Sequence, residues 1–118
     1  MYEYEAVIVY VADGDTVDAL VDLGFESFRK VRLRVLSIDT PETWRPSTEA
    51  ERLHGEKATK RAKELLLNKG VVLNTTLKKG KWRRYLADIV LADGREYATV
   101  MKEEGFAKKE SYSDGKEI

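Results

Sequence analysis

Chemistry in this chain starts at Asp13-Gly14-Asp15 and at Asp39-Thr40-Pro41-Glu42. After Asp15, the residues Val17, Ala19 and Val21 alternate with Thr16, Asp18 and Asp22. Strand parity therefore puts the Asp15 carboxylate on the core-facing side. A lone carboxylate there is costly unless a cation or several donors meet it. In isolation, Asp-Gly-Asp reads as a turn whose acids bond backbone N–H groups. The Asp39–Glu42 tetrapeptide alone reads as a strand end or helix start, with Asp39 or Thr40 as cap and Pro41 at the first helical position. Combined, Asp15 and Asp39 supply oxygen ligands for a hard cation, and Glu42 could position or deprotonate a water. Arg34 and Arg84 carry planar guanidinium groups that fork onto phosphate oxygens. Each taken singly is also an ordinary strand or hairpin arginine. Phosphodiester hydrolysis needs an activated water, a neutralised phosphate and a metal that organises both. Two aspartates, a glutamate and two arginines meet that requirement.

These residues need a scaffold, and the pattern predicts one. β-Branched and aromatic residues over 5–12 read as a strand, the alternation over 15–22 as a second, and Val31, Leu33 and Val35 as part of a third over about 28–38. Asp13-Gly14 is the kind of turn pair that tolerates positive φ. Residues 43–54 read as a loop, in which Thr48 and Glu51 could form a capping box and a helical turn before Gly55. Ala58, Ala62, Leu65 and Leu66 fall at helical spacing, predicting a helix over 56–68 with Gly70 at its cap. Strands over about 71–77 and 83–91 and a short helix over about 97–104 complete the chain. Three strands, a helix and two strands predict an α+β, mainly β domain: a five-stranded OB-type Greek-key barrel. The expectation is a single domain over 1–118, with 108–118 as a loosely held tail.

Composition narrows the chemistry. Of 118 residues, 21 are Lys or Arg and 21 Asp or Glu, so the formal charge is zero. No cysteine is present and His54 is the single histidine, which excludes disulfides, thiolate metal sites and imidazole-rich centres. No apolar run approaches the roughly 18–20 residues of a membrane span, so no membrane partner is expected. The start, Met1-Tyr2-Glu3-Tyr4-Glu5, lacks the basic and apolar pattern of an export signal. Localisation stays open between the cell interior and a processed, secreted form. The zero charge is unevenly built: residues 1–26 hold Glu3, Glu5, Asp13, Asp15, Asp18, Asp22 and Glu26 with no Lys or Arg. Residues 57–84 hold Glu64 alone against a run of bases that includes Lys78, Lys79, Lys81, Arg83 and Arg84. Such blocks are either solvated faces or the footprint of a polyanion beside a cation site.

From about Ala6 to Lys108 the chain resembles the staphylococcal nuclease (thermonuclease) family. The resemblance rests on Val11-Ala12-Asp13-Gly14-Asp15-Thr16-Val17 and on Arg34-Val35-Leu36-Ser37-Ile38-Asp39-Thr40-Pro41-Glu42-Thr43. His54-Gly55-Glu56, Arg84-Tyr85-Leu86-Ala87-Asp88-Ile89 and Glu104-Gly105-Phe106-Ala107 extend it. It implies an OB-fold, Ca²⁺-dependent nuclease acting on DNA and RNA with little sequence preference. Asp15 and Asp39 would bind Ca²⁺ by carboxylate and Thr40 by its carbonyl, with Asp13 an acid behind them. Glu42 would activate or orient water, and Arg34 and Arg84 would stabilise the phosphate. Lys81, Trp82 and Tyr112 match positions near the nucleotide.

Three departures stand out. Arg83 replaces a usual glycine beside Arg84, Ala98 replaces a common asparagine, and the family's C-terminal helix has no counterpart before Ile118. A monomer is expected, with an oligomer as the alternative that the missing helix suggests. A non-catalytic OB module binding nucleic acid or protein is the competing reading, opposed by the retained Asp15, Asp39 and Glu42. His54 reads as a surface-loop histidine. Trp44 and Arg45, following Glu42, read either as substrate contacts or as exposed bystanders.

Overall fold

A computed structural model describes residues 2–79 and 84–112. β1 (Tyr2–Asp13), β2 (Thr16–Asp22), β3 (Phe28–Val35), β4 (Gly70–Lys79) and β5 (Tyr85–Val90) close a barrel in the order β1-β2-β3-β5-β4. The β3–β5 pairing is parallel and the others are antiparallel. Helix α1 (Glu49–Leu66) links β3 to β4, and α2 (Tyr97–Glu103) follows β5. The five-stranded, α+β barrel expected from the pattern is the one observed.

Alternation places Ile8, Val11, Val17, Ala19, Leu33, Val35, Leu73, Ala87 and Ile89 inside the barrel. Ala58, Ala62 and Leu66 of α1 recur on one helical face and pack with Tyr97, Val100 and Met101 of α2 in the same core. Two register shifts interrupt the β1–β2 ladder, between Ile8 and Tyr10 and between Val11 and Asp13. Bulges bend a strand and re-aim its side chains, and the second of these lies at the aspartate turn.

Four local expectations need correction. β3 stops at Val35, not near residue 38, because Ser37 takes a left-handed φ of 68° and the chain turns. The Arg34 guanidinium sits in that turn, its Nη1 donating to the carbonyls of Val35 (2.6 Å) and Ile38 (2.8 Å). α1 starts at Glu49 instead of residue 56, with Thr48 as its N-cap accepting from the Glu51 N–H. The helix therefore runs through Gly55 and His54, so His54 is helical. It also ends without Gly70: Leu67 caps it, Asn68 takes the left-handed turn (φ 60°), and Gly70 opens β4.

Of the tail expected over 108–118, residues 113–118 lie outside the described residues, and residues 108–112 make contacts with the rest of the chain. The Lys108 N–H donates to the Asp39 carbonyl at 2.6 Å. Tyr112 Oη lies 2.7 Å from His54 Nδ1 and accepts from the Lys109 N–H, while His54 Nε2 lies 2.8 Å from the Gly105 carbonyl oxygen.

Candidate active site

The β1–β2 turn is built for close approach. Gly14 does not use positive φ, the reason expected for a glycine here. A Cβ on it would instead lie 2.6 Å from Thr40 Cγ2, so only glycine lets the turn reach the 39–42 loop. From α2, the buried Tyr97 hydroxyl donates to the Gly14 carbonyl at 2.6 Å. Burial, and then the charges of Asp15 and Asp13, push that phenol up, so it stays a donor.

Asp15 is buried beside this turn, as are Thr16 and Asp18 of the opposite strand parity, and its carboxylate lines the cleft. Its Oδ2 accepts from the Thr40 N–H at 3.0 Å, and its Oδ1 accepts from the Thr16 hydroxyl at 3.2 Å. Burial pushes the Asp15 carboxyl up, but Asp13, the Thr40 N–H and Arg34 together hold it below the usual carboxylate range. Burial and the adjoining Asp15 push the Asp13 carboxyl up. The sequence explanation that turn acids bond N–H groups also holds, since Asp13 Oδ1 accepts from the Asp15 N–H at 3.0 Å.

Arg34 joins the two acid segments. Its Nη2 lies 3.1 Å from Asp39 Oδ1 and 3.5 Å from Asp15 Oδ2. One nitrogen thus reaches both carboxylates, which places Asp15 and Asp39 within the range of a single cation. Arg84 approaches from β5's start, with Nη1 donating to the Thr16 hydroxyl at 2.9 Å. Thr16 therefore connects Arg84 to Asp15.

Glu42 sits across a cleft of about 690 Å³ that Asp13, Asp15, Arg34, Asp39 and Arg84 also line, together with Arg32, Trp44 and Arg45. Partial desolvation, then the Asp15 charge, raise its carboxyl above the ordinary value. Its loop is fixed by a residue whose role sequence reading missed. Glu51, buried at 2% exposure, accepts from the Ser47 N–H (2.7 Å), the Ser47 hydroxyl (2.8 Å) and the Glu42 N–H (3.3 Å). Lys108 Nζ stands 3.4 Å from the same carboxylate. The Ser47 N–H leads the effects that hold Glu51 down to about 2, ahead of the opposing burial. The Thr48–Glu51 spacing was the available signal, but Glu51 closes the loop before the helix and does not reach back to its cap. Gly55 lets that loop lie against α1: a Cβ there would meet the Pro41 carbonyl oxygen at 2.7 Å.

Not every expected residue joins the cleft. Tyr112 does not line it and is engaged with His54. Lys81 and Trp82 lie outside the described residues. The two carboxylates that one Arg34 nitrogen reaches, those of Asp15 and Asp39, suit a hard cation in kind, while Thr40 presents its N–H to Asp15. Among the described residues, however, no three acidic or histidine side chains converge into a ready metal cluster. No described helix is long and apolar enough to cross a membrane.

A closed five-stranded barrel with two helices, and with acids and guanidinium groups lining one cleft, defines an α+β domain of the OB type. A family model described as staphylococcal nuclease homologue matches residues 32–117, and the chain belongs to that family. The match begins after Asp13 and Asp15 and includes Arg34, Asp39, Thr40, Glu42 and Arg84. Comparison with curated proteins returns no match.

Proposed function

We propose that this protein is a calcium-dependent nuclease that hydrolyses phosphodiester bonds of DNA and RNA with low sequence specificity. The observation that carries the reading is the reach of one Arg34 nitrogen to both Asp15 and Asp39, in a cleft shared with Glu42 and Arg84. Asp15, Asp39 and the Thr40 carbonyl would hold Ca²⁺, with Asp13 behind them. The ion would offset the carboxylate charge that otherwise repels phosphate and would polarise the phosphoryl group.

The chain's own residues supply the rest. Glu42 accepts a proton from, or orients, the attacking water, and its raised carboxyl is a better base than an ordinary surface glutamate. Arg34 and Arg84 donate to non-bridging phosphate oxygens as charge accumulates on them. Arg84 keeps its aim through Thr16, and Arg34 through the carbonyls of its own turn. Backbone and phosphate contacts of this type carry no base code, which accounts for low specificity.

The test is release of acid-soluble nucleotides from DNA and RNA in Ca²⁺ and in EGTA. Cleavage in Ca²⁺ that EGTA abolishes is expected. Folded protein that binds nucleic acid in a salt-dependent way, yet cleaves in no divalent metal, would instead make it a binding module.

A further inference from the structure

The cleft holds one pair of residues that the reaction above does not use. Trp44 is 74% exposed, and the Arg45 guanidinium lies 4.6 Å from its ring centroid. Both line the same cleft as Glu42, Arg34 and Arg84. Arg45 adopts φ 55°, a left-handed conformation that disfavours residues with a Cβ. A large apolar ring kept in water and a strained backbone bring no packing to the core. The loop that carries them is nevertheless fixed, because Glu51 accepts from the N–H groups of Glu42 and Ser47 on either side.

We propose that the Trp44 indole, braced on one face by Arg45, is the stacking platform for a base next to the phosphate held in this cleft. The proposal rests on the nuclease reading and adds how that substrate is seated. An aromatic face stacks on any base, with more overlap for a purine, and is a neutral contact that salt weakens little. Because Glu42 and Trp44 are two residues apart on one clamped loop, a stacked base fixes the register of its phosphate against the glutamate. Trp44 is thus a positioning residue.

The experiment uses the Trp82→Phe background, in which Trp44 is the sole tryptophan. Single-stranded oligo(dA) and an abasic oligomer of equal length are titrated in EGTA at low salt, so that no strand is cut, and indole fluorescence is read. Quenching by oligo(dA), with little from the abasic strand, is expected. Affinities of the variants, which lack an indole in this background, are read by anisotropy of end-labelled strands: Trp44→Ala should weaken oligo(dA) binding about 5- to 150-fold and leave the abasic strand unaffected, while Trp44→Phe keeps most of the affinity. In Ca²⁺, Trp44→Ala should raise KM and also lower kcat, because the phosphate loses its register against Glu42, and Trp44→Phe should restore both. Equal quenching by the abasic strand, or unchanged oligo(dA) affinity in Trp44→Ala, overturns the platform. Base-dependent quenching without any Ca²⁺-dependent cleavage would overturn the nuclease reading and leave the platform standing.

Discussion

The two acidic segments of the cleft are held in opposite ways. The turn carrying Asp13 and Asp15 is fixed from inside: Gly14 lies against Thr40, Tyr97 holds the Gly14 carbonyl from the core, and Asp15 is buried with its partners. The loop from Glu42 to Ser47 is exposed over much of its length and is fixed from below by a single buried carboxylate, Glu51. The first arrangement suits a group that must hold a charge in one place. The second suits a group that must face water and still keep its position. A residue belonging to the first segment should therefore affect stability and metal affinity together. One belonging to the second should separate turnover from stability, unless it is the clamp itself.

Glu42→Gln is the strongest test of that division. The amide keeps the shape and loses the base, so kcat should fall about 10²- to 10⁴-fold. Glu42 is exposed and its N–H still donates to Glu51, so the unfolding free energy from denaturant titration should stay within about 0.5 kcal/mol of wild type. A large stability loss would show that the loop depends on the Glu42 carboxylate and would erase the contrast. Little change in kcat would remove Glu42 from the chemistry.

Glu51→Gln should break the contrast, because it removes the clamp's charge. At pH 7 a loss of about 2–3 kcal/mol is expected from hydrogen bonds to a charged acceptor, with lower turnover as the loop loosens. The pH dependence gives the sign. The folded-state carboxyl is held down to about 2, against an ordinary 4.5. Its contribution is therefore complete above about 4.5 and fades as the pH falls toward 2. The stability gap between wild type and Glu51→Gln, followed by denaturant titration across that window, should close toward low pH. A gap independent of pH would mean that the side chain acts by shape alone.

The barrel was legible because its strands alternate and its turns carry their usual residues, and α1's apolar spacing marked the helix body. Thr48 was legible as a cap with a helical turn behind it, but the continuity of that turn with the helix body was not, because Glu49–Leu53 show little apolar periodicity. Asp15's burial was expected, but parity does not account for it, since Thr16 and Asp18 of the opposite parity are equally buried. The reach of Arg34 to Asp39 was not legible, since it depends on the left-handed Ser37 that turns the chain after Val35. Long-range partners were the hardest to foresee. Nothing local to Tyr97 or Gly14 announces their contact across 83 positions. Tyr112 is a long-range case too: its hydroxyl meets His54 on α1, 58 positions away, a contact that the resemblance to a nucleotide-site position did not announce.

Tyr97→Phe is the finest test of the inner segment. It deletes one oxygen and leaves the ring in the core, so the change isolates the bond to the Gly14 carbonyl. That carbonyl would lose its buried donor, and a loss of about 1–2 kcal/mol is expected on denaturation. The removed hydroxyl lies far from water and stays protonated, so the loss should not vary between pH 6 and pH 9. If the turn's geometry sets the metal site, Ca²⁺ affinity measured by calorimetry should fall several-fold, while kcat at saturating Ca²⁺ stays near wild type. A drop in kcat with unchanged Ca²⁺ affinity would mean that the inner turn positions the phosphate and not the ion, and the division of labour between the two segments would have to be redrawn.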